Sequence, residues 1–347
     1  MSRHSSDIPP PLPFITASAS DPRKFEVGAE AVAFLCSLPS RAIAPVVVAG
    51  RYRTGKSFLL NRLSGGARFG VGGTVNACTR GIWLSPHVLP SKDPDAPLVL
   101  YLDTEGLGST GATAEHDARI FSLATLLASL IVYNSVGAID EESLSQLSFV
   151  SSLTRVIQVR RSDGGVVGGG GGGVGGSPRA QDDRLLPGTP DKSRASAAAE
   201  IASAELSAYA PSFLWVLRDF SLSLHDDAGD EITTRDYLES ALLESDGFST
   251  EMQARNRVRR ALVSFFRDRD CATLVRPADD EAALVDAEAL PESAFRREFR
   301  EGLAALRMRV AALARPKIVH GAHVTGPMLC VLGCRGACRT LPRRVRA

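Results

Sequence analysis

The sequence predicts an α/β fold: a doubly wound, mostly parallel sheet flanked by helices. Short β-branched or apolar runs recur at 44–50, 97–103 and 213–219, each ending in glycine or aspartate. Helical patterns separate them, which is how buried parallel strands alternate with crossover helices. The first run leads directly into Gly50-Arg51-Tyr52-Arg53-Thr54-Gly55-Lys56-Ser57, a glycine-bounded loop that opens a helix.

Taking the elements in order, residues 1–24 read as a flexible leader rich in proline and serine, without an apolar core of signal-peptide length. Strand 44–50 follows, and a helix starts at about Lys56. Residues 124–135 read as the end of a helix running into a further element, and 213–219 (FLWVLRD) as another buried strand. Between them, ten of the thirteen residues from Gly164 to Gly176 are glycine. Such a stretch buries too little apolar surface to offset its ordering entropy, so 164–194 is expected to be a disordered insertion. The alanine-rich stretch 195–210 reads as helical, as do 232–244, 249–266 and 293–314. The main domain is therefore drawn at 25–315. Residues 316–347 read as a truncated junction ending in an irregular Cys/Arg tail.

Composition is that of a soluble globular chain: 347 residues, 44% hydrophobic, 23% charged and 6% aromatic. A net charge of +1, from 40 basic and 39 acidic side chains, gives no field for holding nucleic acid. Six cysteines, Cys36, Cys78, Cys271, Cys330, Cys334 and Cys338, form no disulfide framework and suit a reducing, cytoplasmic compartment. Cys330, Cys334 and Cys338 lack the histidine or second cysteine pair of a zinc site. No run of about 20 apolar residues suggests a transmembrane segment. The chain closes on Arg346-Ala347 without a prenylation box, and nothing in it specifies peripheral membrane contact.

The loop from Gly50 to Ser57 matches GxxxxGK[ST] and defines a P-loop NTPase pattern. Its amides wrap phosphates at a helix N-terminus, Lys56 holds the β and γ phosphates, and Ser57 ligates Mg²⁺. Asp103-Thr104-Glu105-Gly106 closes the next strand, where Asp103 can reach the metal through water and the Gly106 amide can touch the γ-phosphate. Thr79 lies between the two, where a switch threonine closes over the metal and the γ-phosphate. Arg218-Asp219 ends the strand FLWVLRD. A carboxylate there accepts from both N1–H and the N2 amine of guanine, whereas adenine offers neither donor. A plain Arg218–Asp219 ion pair is the competing reading.

Together GRYRTGKSFLLNRL (50–63), TRGIW (79–83), YLDTEGLGS (101–109), LIVYNSVGAID (130–140), FLWVLRDFSL (213–222) and ITTRDYLESAL (232–242) resemble the large GTPase domain of the guanylate-binding proteins. Those proteins are cousins of the atlastins and, more distantly, the dynamins. The likeness runs from about residue 25 to about 330.

The resemblance implies binding of GTP and GDP with Mg²⁺, and a nucleotide-dependent homodimer formed through the GTPase domain. It also implies hydrolysis aided by a P-loop arginine, matched by Arg53, acting as an internal finger. Glu105 matches the glutamate that arranges the attacking water. Phe58 falls within the nucleotide-binding segment, and Arg276 in Val-Arg-Pro (275–277) matches the end of the guanine cap. The catalytic set expected from the resemblance is thus Arg53, Lys56, Thr79 and Glu105, with Ser57, Thr79 and Asp103 at the metal. Ala77 and Cys78 depart from the serine and histidine common in the family. That departure motivates a competing reading, a nucleotide-dependent binding module with weak or no turnover. An ATP-dependent kinase is a third reading for which the sequence offers no adenine pocket or acceptor site.

Overall fold

The computed structural model describes residues 9–21, 24–70, 79–88, 93–109, 113–148, 150, 210–226, 228–247, 249–285 and 287–337. The expected insertion 164–194, nearly all of the helix 195–210, Ala77, Cys78 and the tail from 338 lie outside these residues.

In chain order the elements are β1 (Leu12–Ala17), β2 (Phe25–Val27), α1 (Ala29–Ser37), β3 (Ile43–Gly50), α2 (Lys56–Ser64), β4 (Ile82–Leu84) and β5 (Leu98–Thr104). There follow α3 (Ala114–Leu127), β6 (Leu130–Val136), α4 (Glu141–Ser145), β7 (Ser212–Arg218), α5 (Thr234–Ala241), α6 (Thr250–Phe265) and β8 (Arg269–Leu274). The described chain closes with α7 (Glu281–Val285), α8 (Arg297–Leu313), the hairpin β9 (Ile318–Val319) and β10 (Ala322–His323), and α9 (Gly326–Ala337).

The main sheet has eight strands in the order β2-β1-β4-β5-β3-β6-β7-β8. From β5 to β8 every pairing is parallel, while β1, β2 and β4 add an antiparallel flank. Strand β3 lies between β5 and β6, so the chain leaves it to opposite sides and the carboxyl end of β3 is the topological switch point.

Alternation along the strands divides the interior in two. Val47, Tyr133 and Trp215 face a core shared with α1, α3, α5, α6 and α9. Val46, Val48, Val132, Leu214 and Val216 face the opposite core under α2 and α8. Both faces are covered, which is why these strands read as continuous apolar runs.

Two segments depart from the sequence reading. The region assigned to a leader contains β1, whose Phe14 and Ile15 are fully buried. Its prolines hide the strand, and Pro13 stands at a register irregularity in the β1–β4 pairing, where a sheet tolerates a residue without an N–H. The stretch read as an irregular tail contains α9, which packs on α1 and α3 and buries Leu329 and Cys330. Among the described residues no helix is long and apolar enough to cross a membrane.

Candidate functional site

The P-loop turns from the buried end of β3 into α2. Gly50 has a φ of 147°, and a Cβ there would stand 2.1 Å from the carbonyl oxygen of Asn134. Only glycine meets both demands. Arg53 occupies the left-handed region at φ 62°, a conformation costing about 1 kcal/mol that is concentrated at ligand sites. Thr54 is tied on both sides: its hydroxyl donates to the Arg51 carbonyl at 2.8 Å, and Asn134 Nδ2 donates to its carbonyl at 2.8 Å. Arg51 pairs with Glu142 on α4 at 2.8 Å across an exposed surface. The exposed Arg53 guanidinium lies 5.6 Å from the Tyr52 ring centroid.

Lys56 begins α2 and is only 7% exposed, its ammonium donating to the Arg51 carbonyl at 3.0 Å. Burial lowers its pKa, while the charges of Asp103 and Glu105 oppose that shift. Asp103, at the end of β5, is fully buried. Burial raises its pKa, against the opposing pull of Lys56, Ser57 and Thr79. Desolvation thus outweighs the mutual attraction of the two charges.

Ser57 Oγ donates to Asp103 Oδ2 at 2.6 Å, and Thr79 Oγ1 donates to the same oxygen at 2.9 Å. Asp103 Oδ1 is buried without a hydrogen-bond partner. Two hydroxyls and a carboxylate converging with a spare oxygen make a hard oxygen donor set, the chemistry that Mg²⁺ prefers. The residues therefore fit the metal.

The loop from Asp103 to Ser109, termed the metal loop after its candidate Mg²⁺ ligand, lies directly on the P-loop. Leu107 N–H donates to the Gly50 carbonyl at 3.0 Å, and Tyr52 N–H donates to the Leu107 carbonyl at 2.9 Å. Gly106 fits only because it lacks a side chain: a Cβ would stand 2.5 Å from Tyr52 Cα and 2.9 Å from Lys56 Nζ. Glu105 Oε2 accepts from Gly81 N–H at 3.1 Å and faces His116 Nε2 at 3.1 Å. Its other oxygen accepts from Ser109 Oγ at 3.4 Å.

Arg218 ends β7 and is 6% exposed, its guanidinium over the rings of Phe58 at 5.4 Å and Phe299 at 5.9 Å. Burial lowers its pKa. Its Nη1 lies 3.4 Å from where a Gly55 side chain would begin, so β7 meets the P-loop at this point. Asp219 follows, exposed and at φ 55°.

The structure thus brings Gly50 to Ser57, Thr79, Asp103, Glu105 and Gly106 together, with Arg218 and Asp219 at the neighbouring strand end. Phe58 turns its ring into the core against Phe295 and Phe299. Arg276 forms an exposed ion pair with Glu281 at 2.7 Å on the loop after β8, away from these contacts. Sequence reasoning did not single out Asn134 or His116 as site residues. A fully buried asparagine at the end of the apolar run LIVYNSV was the available signal for the first; for the second there was only a histidine one turn into a helix.

A phosphate loop at the switch point of a parallel sheet, with a serine, a threonine and an aspartate converging beside it, defines a P-loop nucleotide-binding domain. The family model described as "Guanylate-binding protein, N-terminal domain" matches residues 22–166 and 190–316. The chain belongs to the guanylate-binding protein family. It is 36% identical to Guanylate-binding protein 3 of Mus musculus over 278 residues, covering 79% of this chain and 39% of that protein. With Guanylate-binding protein 4 of Homo sapiens the identity is 36% over 264 residues, 75% of this chain and 36% of the relative. Guanylate-binding protein 6 of Mus musculus is 34% identical over 314 residues, 89% of this chain and 45% of the relative. The chain therefore spans less than half the length of these curated relatives.

Proposed function

We propose that the chain binds GTP with Mg²⁺ and hydrolyses it to GDP and phosphate. The observation that carries the reading is the convergence of Ser57 and Thr79 on one oxygen of the buried Asp103, beside Lys56. The P-loop amides and the Lys56 ammonium bind the β and γ phosphates. Ser57, Thr79 and Asp103 hold the magnesium ion, which when bound neutralises charge on those phosphates.

Asp219 reads the guanine edge beside Arg218, and Arg276 helps cover the base. Glu105 orients the attacking water. Arg53, exposed and in a strained backbone conformation, swings onto the phosphates when two GTPase domains meet, so that hydrolysis depends on a nucleotide-loaded homodimer.

Replacing Arg53 by alanine tests this directly. An arginine finger contributes about 10³-fold or more to kcat, so phosphate release should fall by that order while GTP affinity stays within about threefold. Equal turnover by Arg53→Ala would remove the finger. The second reading, a nucleotide-dependent binding module, is favoured by Ala77 and Cys78 just before Thr79. GTP binding with no turnover in the unaltered chain would select it.

A further inference from the structure

His116 lies outside the phosphate loop, the metal set and the guanine reader, yet it touches Glu105, the residue assigned above to orienting the attacking water. Its Nε2 is 3.1 Å from Glu105 Oε2, and the two side chains are 22% and 13% exposed. Where the carboxylate is ionised and offers only acceptors, a hydrogen bond here requires the proton on Nε2.

The ring is fixed from its own side as well. His116 sits in the first turn of α3, its backbone N–H donating to the N-cap Thr113 hydroxyl at 3.2 Å. The Phe25 ring of β2 lies 5.7 Å away, and the Arg119 guanidinium lies 4.7 Å from the centroid of that phenyl. Next to it, Asp117 accepts from Gly108 N–H at 2.7 Å. The first turn of α3 therefore grips the metal loop at two points, Glu105 and Gly108. Among the described residues, the charged groups placed against the imidazole are Glu105 and Asp117.

Glu105 has three rotatable single bonds between its backbone and its carboxylate, and left alone it samples many rotamers. Three anchors from different segments hold it: Gly81 after the switch threonine, Ser109 in the metal loop and His116 on α3. Only His116 brings a rigid ring held by a helix.

Building on the hydrolase reading above, we propose that His116 is a positioning residue that holds the Glu105 carboxylate in the orientation needed to align the attacking water. Its part is in the transition state and not in nucleotide binding, since it faces Glu105 and not the phosphate loop. Loss of such positioning shifts a reacting group by about 1 Å, which costs on the order of 10²-fold in rate.

The test compares His116→Ala and His116→Gln in the full chain, the glutamine amide placing an N–H near the position of Nε2. His116→Ala should lower kcat about 10–100-fold, with KM for GTP, affinity for GDP and Tm unchanged, and His116→Gln should recover most of the loss. Unchanged kcat in His116→Ala overturns the inference. So does a parallel loss of kcat, GDP affinity and Tm without recovery by glutamine, which marks a merely structural histidine.

A second readout is independent of turnover. In ¹⁵N spectra of the imidazoles, His116 should show the Nε2–H tautomer and change on Glu105→Ala, and an identical signal in both proteins overturns the proposal. If the unaltered chain releases no phosphate, the hydrolase reading fails by itself, while the spectra still decide whether His116 holds Glu105.

Discussion

Gly106→Ala isolates the dependence of the site on contact between the metal loop and the P-loop. An added Cβ would stand 2.5 Å from Tyr52 Cα and 2.9 Å from Tyr52 N. Ordinary carbon contacts begin at about 3.5 Å, so the loops must part by roughly 1 Å. The two backbone bonds that join them are 3.0 Å (Leu107 N to the Gly50 carbonyl) and 2.9 Å (Tyr52 N to the Leu107 carbonyl), and a 1 Å separation breaks both. At about 1 kcal/mol each the loss is about 2 kcal/mol, or about 30-fold if it falls wholly on nucleotide binding. Fluorescent-nucleotide titration, with urea unfolding alongside, reads how the cost divides between affinity and stability. GTP affinity and unfolding midpoint both equal to those of the parent would refute the packing argument.

Three further outcomes follow from individual contacts. With Asp219 as the proposed guanine reader, Asp219→Asn exchanges an acceptor of two guanine donors for an amide. GTP affinity should fall by about 10²-fold and xanthosine triphosphate, whose C2 oxygen accepts from that amide, should compete better than GTP. Lys317 is buried with a pKa lowered to about 8 by desolvation, its ammonium donating to the Ala128 carbonyl at the end of α3. Between about pH 8 and the ordinary lysine value of 10.5 the unfolded chain holds a proton that the folded chain has released, so stability rises with pH across that window. Urea unfolding should show the parent gaining about 3 kcal/mol relative to Lys317→Met from pH 7 to beyond pH 10, with no change in their difference below pH 7. Asn134→Ala removes the amide that clamps Thr54, and GTP binding should weaken about 10-fold in the same titration while β6 stays folded.

The fold was legible where burial leaves a one-dimensional trace. Strands β3, β5 and β7, covered on both faces, read as apolar runs, and the predicted helix start at Lys56 coincides with that of α2. The helices α5, α6 and α8 fall inside their predicted stretches for the same reason, a periodic apolar face. Strand β1 was hidden by Pro13, and β8 by the charges of Arg269 and Asp270 at its start. Helix α9 was masked by its glycines, cysteines and arginines, which show no clear periodicity, although Cys330 is core.

At the candidate site, the motif spacing around a strand and a loop singles out Lys56, Ser57 and Asp103, and the structure brings the three together. Asn134 and His116 reach the site through tertiary packing of β6 and α3, which no local spacing records. Phe58 shows the reverse, a residue inside the motif whose ring belongs to the core.

The most direct test of the account is calorimetric titration of the purified chain with GTP and with ATP, in Mg²⁺ and in excess chelator, followed by phosphate release from the same samples. The account predicts tight GTP binding that needs magnesium, at least about 10²-fold discrimination against ATP, and phosphate release that Lys56→Ala abolishes. Indifference to GTP, or equal binding of ATP, would contradict it.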